Sequence, residues 1–452
     1  MKLAHEYAHL SVLLSRLLVL ASSERCAARL KEEPGDVSDP TDYMTRDLPA
    51  GLRLVEGGVT AAPGFRAGNT SCGIKSDAGT PDMAMLVADV PCVTAAMFTT
   101  SKTASHTVHV CKAHLAEGGN RVRAVIVNSG NANCANGERG QRDAVRMAEL
   151  AAAKVGAHPN EVMVSSTGII GRPLPMEKVE RGIAQIEVRA DGGPDFGVGI
   201  MTTDTRSKTN AVEFALGGTT ARLGGSTKGV GMIYPNMATM LCYVTTNAAV
   251  EPEFLRQTWK AAIDDSFNMV CVDGDMSTND SAFLFASGQA GNEPLREGAP
   301  GAETFVSAVR YLTRYLAREM ARDGEGAEHL MIVRVRGAAS EADARKAARA
   351  VTASSIWKCA VAGEDPNWGR IWSTIGASQV RLDANTLDVS LGGVPIVRGG
   401  VAASFDPTAA KQAMKGADVY VDVDLHQGAF EATAWGCDLT HGYVDENATY
   451  TR

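Results

Sequence analysis

From Gly57 to the C-terminus, short apolar runs of strand length alternate with punctuation rich in glycine, asparagine and aspartate, and this alternation is what most limits the fold. The runs MAMLVADV, RAVIVNSGNAN, EVMVSSTGIIG, GVGMIYP, TMLCYVTT, FLFAS, HLMIVRVRGA, VPIVRGG and VYVDVDL are bounded by turn formers, which predicts strands. Between them, Gln141 to Val155, Pro252 to Ser266, Ala302 to Ala321 and Ser340 to Ser354 carry apolar residues at three- and four-residue spacing, which predicts helices. Strands and helices so interleaved must bury their apolar faces against one another, so the expected class is α/β, an α+β layered enzyme. Its 452 residues leave room for one large α/β domain or for units of roughly 150 residues each. A hydrophobic content of 45% with 21% charged residues excludes a disordered or fibrous chain. Glycine, with 46 residues, exceeds its usual share of about 7% and implies tight turns and close backbone approaches.

The net charge of −8 is not gathered into a tail, and there is no basic stripe, so nucleic acid and anionic membranes are not expected partners. A small-molecule partner is. Nine cysteines lie so far apart that no two fall within three positions. This spacing removes CxxC redox and zinc-ribbon readings and points to buried thiols in a reducing compartment.

Residues 1–48 read as a leader and linker expected to be poorly ordered. The apolar stretch from Leu10 to Ala21 is interrupted by Arg16 and is shorter than the ~20 residues that span a bilayer, so it is no membrane anchor. Lys2, Arg16, Arg25 and Arg29 among Leu, Ser and Ala suit an organellar presequence, but Glu6, Glu24, Glu32 and Glu33 do not. A cytoplasmic location is therefore expected, with mitochondrion or plastid as the alternative. His5, Glu6 and His9 spell HExxH, a zinc-site pattern on a helix. It lies at an extreme terminus before a polar, proline-containing stretch and has no third ligand in view, so no metal is expected.

Two further strings fail on inspection. GGSTKG (Gly224 to Gly229) has a phosphate loop's composition in the wrong order. DGDMSTND (Asp273 to Asp280) lacks the sixth-position Gly and twelfth-position Glu of a calcium loop and reads as an Asx-type turn between strands. There is no GxSxG elbow.

The segment GGSTKGVGMIYPNMATMLCYVTTN is more informative. Small Ala238 precedes Thr239, which opens a β-prone run. A Thr hydroxyl at such a junction can attack the preceding carbonyl, convert the peptide to an ester and leave, after hydrolysis, a chain beginning with threonine. The new α-amine, with an ordinary pKa of about 7.7–8.0, lies beside its own hydroxyl as general base. Nucleophile and base then need no Ser/His/Asp set. Ser165-Ser166-Thr167-Gly168-Ile169-Ile170-Gly171 adds a hydroxyl and an open backbone N–H, the donors wanted around a tetrahedral oxyanion, although a plain glycine turn is equally open.

The strings KGxGM, NMATML, VNSGNAN, SSTGIIG, MTTDT, VDGDMSTND, RDGEGA, AGEDPNWGRI and the terminal NATY resemble, in this chain, the glutamate N-acetyltransferase (ornithine acetyltransferase) family of arginine biosynthesis. The likeness runs from Gly57 to the end. It implies a self-cleaving N-terminal-nucleophile enzyme of α/β fold, with residues 49–238 as an α chain and 239–452 as a β chain that assemble as α2β2. It further implies a cut between Ala238 and Thr239, Thr239 as nucleophile, and Thr167 and Gly168 as the oxyanion pair. Substrate contacts would be Thr202 (with Thr203 as the neighbouring register), Lys228, Thr239, Glu325 and Asn447. The implied reaction is ping-pong: acetyl passes from N2-acetylornithine to Thr239 and then to glutamate, with no cofactor. Acetyl-CoA stays open as a further donor.

These residue types suit such substrates, because a carboxylate calls for a cation such as Lys228 and an ammonium for an anion such as Glu325. The last implied substrate contact falls on Arg452, a departure because the family closes there with Thr or Ser and a guanidinium is a poor isostere for a hydroxyl. Two rivals remain: an N-terminal-nucleophile aminopeptidase or amidohydrolase using water as acceptor, and a non-catalytic assembly protein whose chain stays uncut.

Overall fold

Sixteen strands gather into two sheets among the residues that the computed structural model describes, 47–234 and 240–449. The HExxH string, Ala238, Thr239 and Arg452 lie outside the described residues. The first sheet contains β1 (Leu52–Leu54), β2 (Phe65–Thr70), β3 (Met83–Phe98), β4 (Arg121–Asn131), β5 (Val162–Ile169), β6 (Lys208–Leu216), β7 (Thr219–Lys228) and β8 (Leu241–Thr246). Past the short β9 (Val270–Cys271), which joins the other sheet, β10 (Ser281–Ala286) completes it. The order is β1-β6-β7-β8-β10-β3-β4-β5, with β2 paired to β3. The second sheet adds β11 (Leu330–Ala338), β12 (Asp388–Leu391), β13 (Val394–Arg398), β14 (Val401–Ala402), β15 (Asp418–Asp424) and β16 (Phe430–Cys437), in the order β14-β13-β12-β15-β11-β16-β9.

Helices cover the sheets. On the first sheet α1 (His106–Glu117) and α2 (Gly137–Val155) pack on β5, α3 (Met176–Gln185) and α4 (Gly193–Gly199) reach β3, and α5 (Pro252–Asp264) lies against β3. The long α6 (Ala302–Arg322) touches β6 and β7 of the first sheet and β16, β9 and β11 of the second. Its inward residues Phe305, Val309, Leu312, Leu316 and Met320 are all fully buried, as a helix between two sheets requires. On the second sheet α7 (Glu341–Ala353) packs on β11 and β16, and its first turn is capped by the Ser340 hydroxyl, which accepts from the Asp343 N–H at 3.1 Å.

Every residue of β8 and β10 is buried, which is why TMLCYVTT and FLFAS read as apolar runs without alternation. Tyr243 of β8 stacks on Phe283 of β10 at 5.8 Å, and Phe196 of α4 meets Tyr243 edge-on at 5.1 Å. This cluster ties α4, β8 and β10 together.

One expectation needs correction. GVGMIYP was expected to be a strand, but residues 229–234 form a loop whose only ladder contact among the described residues is an isolated bridge from Ile233 to Met276. Gly229 (φ 141°) and Met232 (φ 57°) hold left-handed conformations there, and the Asp273 carboxylate takes the N–H groups of Met232 and Ile233, at 2.9 Å for the second. The backbone donors that would have paired in a sheet are thus satisfied by a side chain. The run EVMVSSTGIIG does form a strand, β5, which carries Thr167 and Gly168 and runs through Ile169.

Candidate active site

Three strand ends and one helix end converge on a single cavity of about 140 Å³. β5 brings Thr167 and Gly168, β7 ends at Lys228, β8 begins just after Met240, and the turn beyond α6 brings Glu325. Thr202, Thr203 and Asn447 line the same space.

The oxyanion candidates sit where β4 and β5 run parallel, with Gly168 opposite Gly130. Gly168 has φ 130°, and a Cβ on it would fall 2.3 Å from the Gly130 carbonyl carbon, so only glycine fits this approach. Asn279, itself in the cavity lining, fastens the strand end: its Nδ2 donates to the carbonyls of Ala132 at 2.6 Å and Ser166 at 2.8 Å. Lys228 Nζ donates to Thr167 Oγ1 at 3.2 Å. The Thr167 hydroxyl hydrogen is therefore left to point elsewhere, and the cavity is where an acceptor would meet it.

Lys228 is buried and gains its charge balance indirectly. Burial pushes its ammonium below the ordinary lysine value, Lys208 adds to this, and Asp204, Glu325 and Asp280 oppose it. Behind it lies a closed ionic cluster. Lys208 Nζ donates to Asp204 Oδ1 at 2.7 Å and to Asp323 Oδ2 at 2.5 Å, with Lys208 and Asp204 wholly inaccessible. Asp204 also takes the N–H groups of Gly229 and Thr202, both at 2.9 Å. Burial alone would raise its carboxyl, but Lys208 and Lys228 outweigh that and hold it below the usual carboxylate range.

Glu325, also in the cavity lining, is gripped by both its oxygens. Thr203 Oγ1 donates to Oε1 at 2.7 Å and Asn447 Nδ2 to Oε2 at 2.8 Å, while the Glu325 N–H is tied to the Val230 carbonyl at 2.9 Å. A carboxylate offers about four acceptor positions, so lone pairs remain for a ligand cation. Of the two threonines, Thr203 reaches Glu325 through its side chain, and Thr202 reaches Asp204 through its backbone.

Sequence reasoning singled out Thr167, Gly168, Thr202, Thr203, Lys228, Glu325 and Asn447, and all seven face this cavity or bond to its lining. It missed Asp204, Lys208 and Asp323, which brace it, and Asp280, which lines it. The available signal was position: a charged residue directly abutting a wholly apolar strand, as Asp280 abuts SAFLFA, is itself inside. DGDMSTND does form the expected Asx turn, with Asp273 Oδ1 accepting from the Asp275 N–H at 3.0 Å. Among the described residues no cluster of three His, Cys, Asp or Glu could hold a metal ion, and no helix is long and apolar enough to cross a membrane.

A model of the ArgJ family matches residues 66–452. The chain belongs to the ArgJ family. The arginine biosynthesis bifunctional protein ArgJ of Symbiobacterium thermophilum is 46% identical over 402 residues, covering 88% of this chain and 100% of that protein. Its counterpart in Thermus thermophilus is 47% identical over 388 residues, covering 86% and 98%. A crystal structure of the bifunctional ArgJ protein of Bacillus halodurans aligns with 37% identity and a TM-score of 0.40, covering 41% of this chain and 98% of the solved one. Family membership therefore rests on sequence along nearly the whole of each ArgJ relative, and the cavity described above belongs to an ArgJ-family enzyme.

Proposed function

We propose that this chain, an acyltransferase of arginine biosynthesis, moves an acetyl group from N2-acetylornithine to glutamate through an ester on Thr239. The bond between Ala238 and Thr239 is first cut by the Thr239 hydroxyl, so that Thr239 becomes a chain start. The carrying observation is the convergence of Thr167, Gly168, Lys228, Glu325 and Asn447 on one cavity whose floor includes Met240, the residue after Thr239. A substrate with a carboxylate and a side-chain ammonium suits a cavity whose lining holds both Lys228 and Glu325.

Turnover then follows from the groups present. The free α-amine of Thr239 takes the hydroxyl proton as Oγ attacks the acetyl carbonyl. The Thr167 hydroxyl and the Gly168 N–H stabilise the resulting oxyanion, and the C–N bond breaks as the proton passes to the departing ornithine amine. Glutamate enters the vacated cavity, and its amine attacks the ester to release N-acetylglutamate. Acetyl-CoA as a second donor fits the word bifunctional in the relatives' names. Assembly as α2β2 completes the reading.

N-terminal sequencing of the purified, active protein tests it: one polypeptide should begin at Thr239, and Thr239→Ala should abolish both cut and turnover. Ornithine release from N2-acetylornithine should depend on glutamate. Release at an equal rate without glutamate would assign the site to an amidohydrolase instead, and an active, unbroken chain would overturn the mechanism.

A further inference from the structure

The cut leaves a chemical gap. In turnover the α-amine of Thr239 moves the proton, but before the cut that amine is an amide nitrogen and can neither accept the hydroxyl proton nor leave without receiving one. Another group must carry the proton from Oγ to nitrogen.

Asp280 is placed for this. It is 4% exposed and lines the cavity at the foot of β10. There the Ser281 N–H donates to the Met240 carbonyl at 3.0 Å, and β10 continues in parallel register with β8 from Ser281 opposite Leu241. The Met240 N–H, its own N–H and the Ser277 hydroxyl hydrogen-bond its carboxyl group. Oδ2 nevertheless has no hydrogen-bond partner among the described residues. A buried carboxyl with one oxygen unsatisfied demands explanation, because leaving such an acceptor unmade is costly. Burial raises this carboxyl well above its usual value despite those donors and the Lys228 charge, which favours the acid form. The charged groups around it are Lys228 from β7 and, through Lys228, Asp204, Lys208 and Glu325. Met240 is bonded to Thr239, so covalent geometry keeps the nitrogen and hydroxyl of Thr239 within a few bonds of the N–H that Asp280 holds.

We infer that Asp280 is the catalytic acid–base of chain cleavage, a role that rests on the proposed cut at Thr239. Oγ of Thr239 bonds to the Ala238 carbonyl carbon. As that carbon's bond to the Thr239 nitrogen breaks, Asp280 gives its Oδ2 proton to the nitrogen and takes the Oγ proton in return. One proton has moved from oxygen to nitrogen, and Asp280 is again neutral. Water then splits the ester, leaving Ala238 with a carboxylate and Thr239 with its hydroxyl and amine.

The test is the first-order rate at which full-length chain, made by cell-free translation, divides into two fragments. Asp280→Asn keeps shape and neutrality but has no proton to exchange. It should slow the division by about 10²-fold or more, the usual size of a general acid–base contribution. Asp280→Glu should recover much of the rate, whereas a merely space-filling role would favour Asn over the longer Glu. Asp280→Asn should melt no lower than wild type at neutral pH, because it removes a carboxyl whose burial opposes ionisation. Division of Asp280→Asn within threefold of the wild-type rate overturns the proposal while leaving Thr239 as nucleophile. Should Asp280→Asn fail to fold, the wild-type pH profile decides. The rate should fall on the alkaline side as the acid is lost, and a rate flat from neutral to alkaline pH overturns the proposal. A wild-type chain that never divides removes this proposal and the cut together.

Discussion

At the scale of single residues, the site depends on atoms that have no room to move. Gly231 shows this on the Glu325 wall, where a Cβ would come within 2.3 Å of Oε2 and within 2.4 Å of the carboxyl carbon. Glu325 is the end of a flexible side chain, so Gly231→Ala should displace it from Thr203 and Asn447 rather than unfold the loop. The expected outcome is a KM for N2-acetylornithine raised about tenfold with the cut at Thr239 unaffected, measured by initial rates on the divided protein. An unchanged KM would remove Glu325 from substrate binding. Titration gives a second outcome. The Thr239 amine must be neutral to act as base, so activity should rise with pH through about 7.7–8.0. Lys228 must be charged to hold a carboxylate, and burial lowers its pKa from 10.5, so affinity should fall again before pH reaches that value. A bell in kcat/KM is expected, and Lys228→Met should lose the alkaline limb along with most of the affinity.

At the scale of elements, the sequence was clearest where burial was least ambiguous. The fully buried β8 and β10 announced themselves as apolar runs, and α6 showed its helical spacing through its whole length. HTVHVCKAHLAE hid α1, because its histidines and β-branched residues give no clean apolar stripe and tertiary packing of Val108, Cys111 and Leu115 supplies what propensity does not. GVGMIYP misled because its apolar composition cannot reveal that Asp273, distant in sequence, takes the backbone donors. The buried charges were likewise illegible: MTTDTRSK looks like a surface turn until Asp323, from the end of α6, closes on Lys208. Their energetics give an expected outcome. Lys208→Met strands two buried carboxylates and should cost about 3–5 kcal/mol in chemical denaturation. The pH sign follows from Asp204, whose folded pKa is depressed. Its contribution is present above the unfolded value of about 3.9 and is lost as pH falls below it towards the folded value. Acid unfolding of the wild type should therefore set in below pH 4 at this cluster, and a Lys208→Met curve parallel to wild type in that range would show that the cluster is not the weak point.

At the scale of the whole molecule, the proposed cut falls in a place that the topology makes safe. Divided between Ala238 and Thr239, the chain would give β1 to β7 to one piece and β8 onward to the other. The order β1-β6-β7-β8-β10-β3-β4-β5 then places β8 and β10 of the second piece in the middle of a sheet whose flanks belong to the first. Both seams are extensive: β7 pairs with β8 from Leu223 to Lys228, and β10 pairs with β3 from Ser281 to Ala286. The aromatic cluster crosses the division as well, with Phe196 and Phe98 of the first piece against Tyr243 and Phe283 of the second. Neither piece can complete the first sheet alone, since the first would have a two-strand gap and the second would expose two strands buried along their whole length. The pieces should therefore stay together after the cut, as one folded unit and not as a loose pair. An affinity tag on the C-terminal piece should retain the N-terminal piece in equal amount through washes at 1 M salt, because hydrogen-bonded strands and apolar packing, unlike surface ion pairs, are not screened. Release should come only in denaturant, at the concentration where the far-ultraviolet circular dichroism of the sheet is lost. Folded pieces separating in native buffer would contradict this strand order, and release well before loss of dichroism would show that the seams are weaker than the sheets they join.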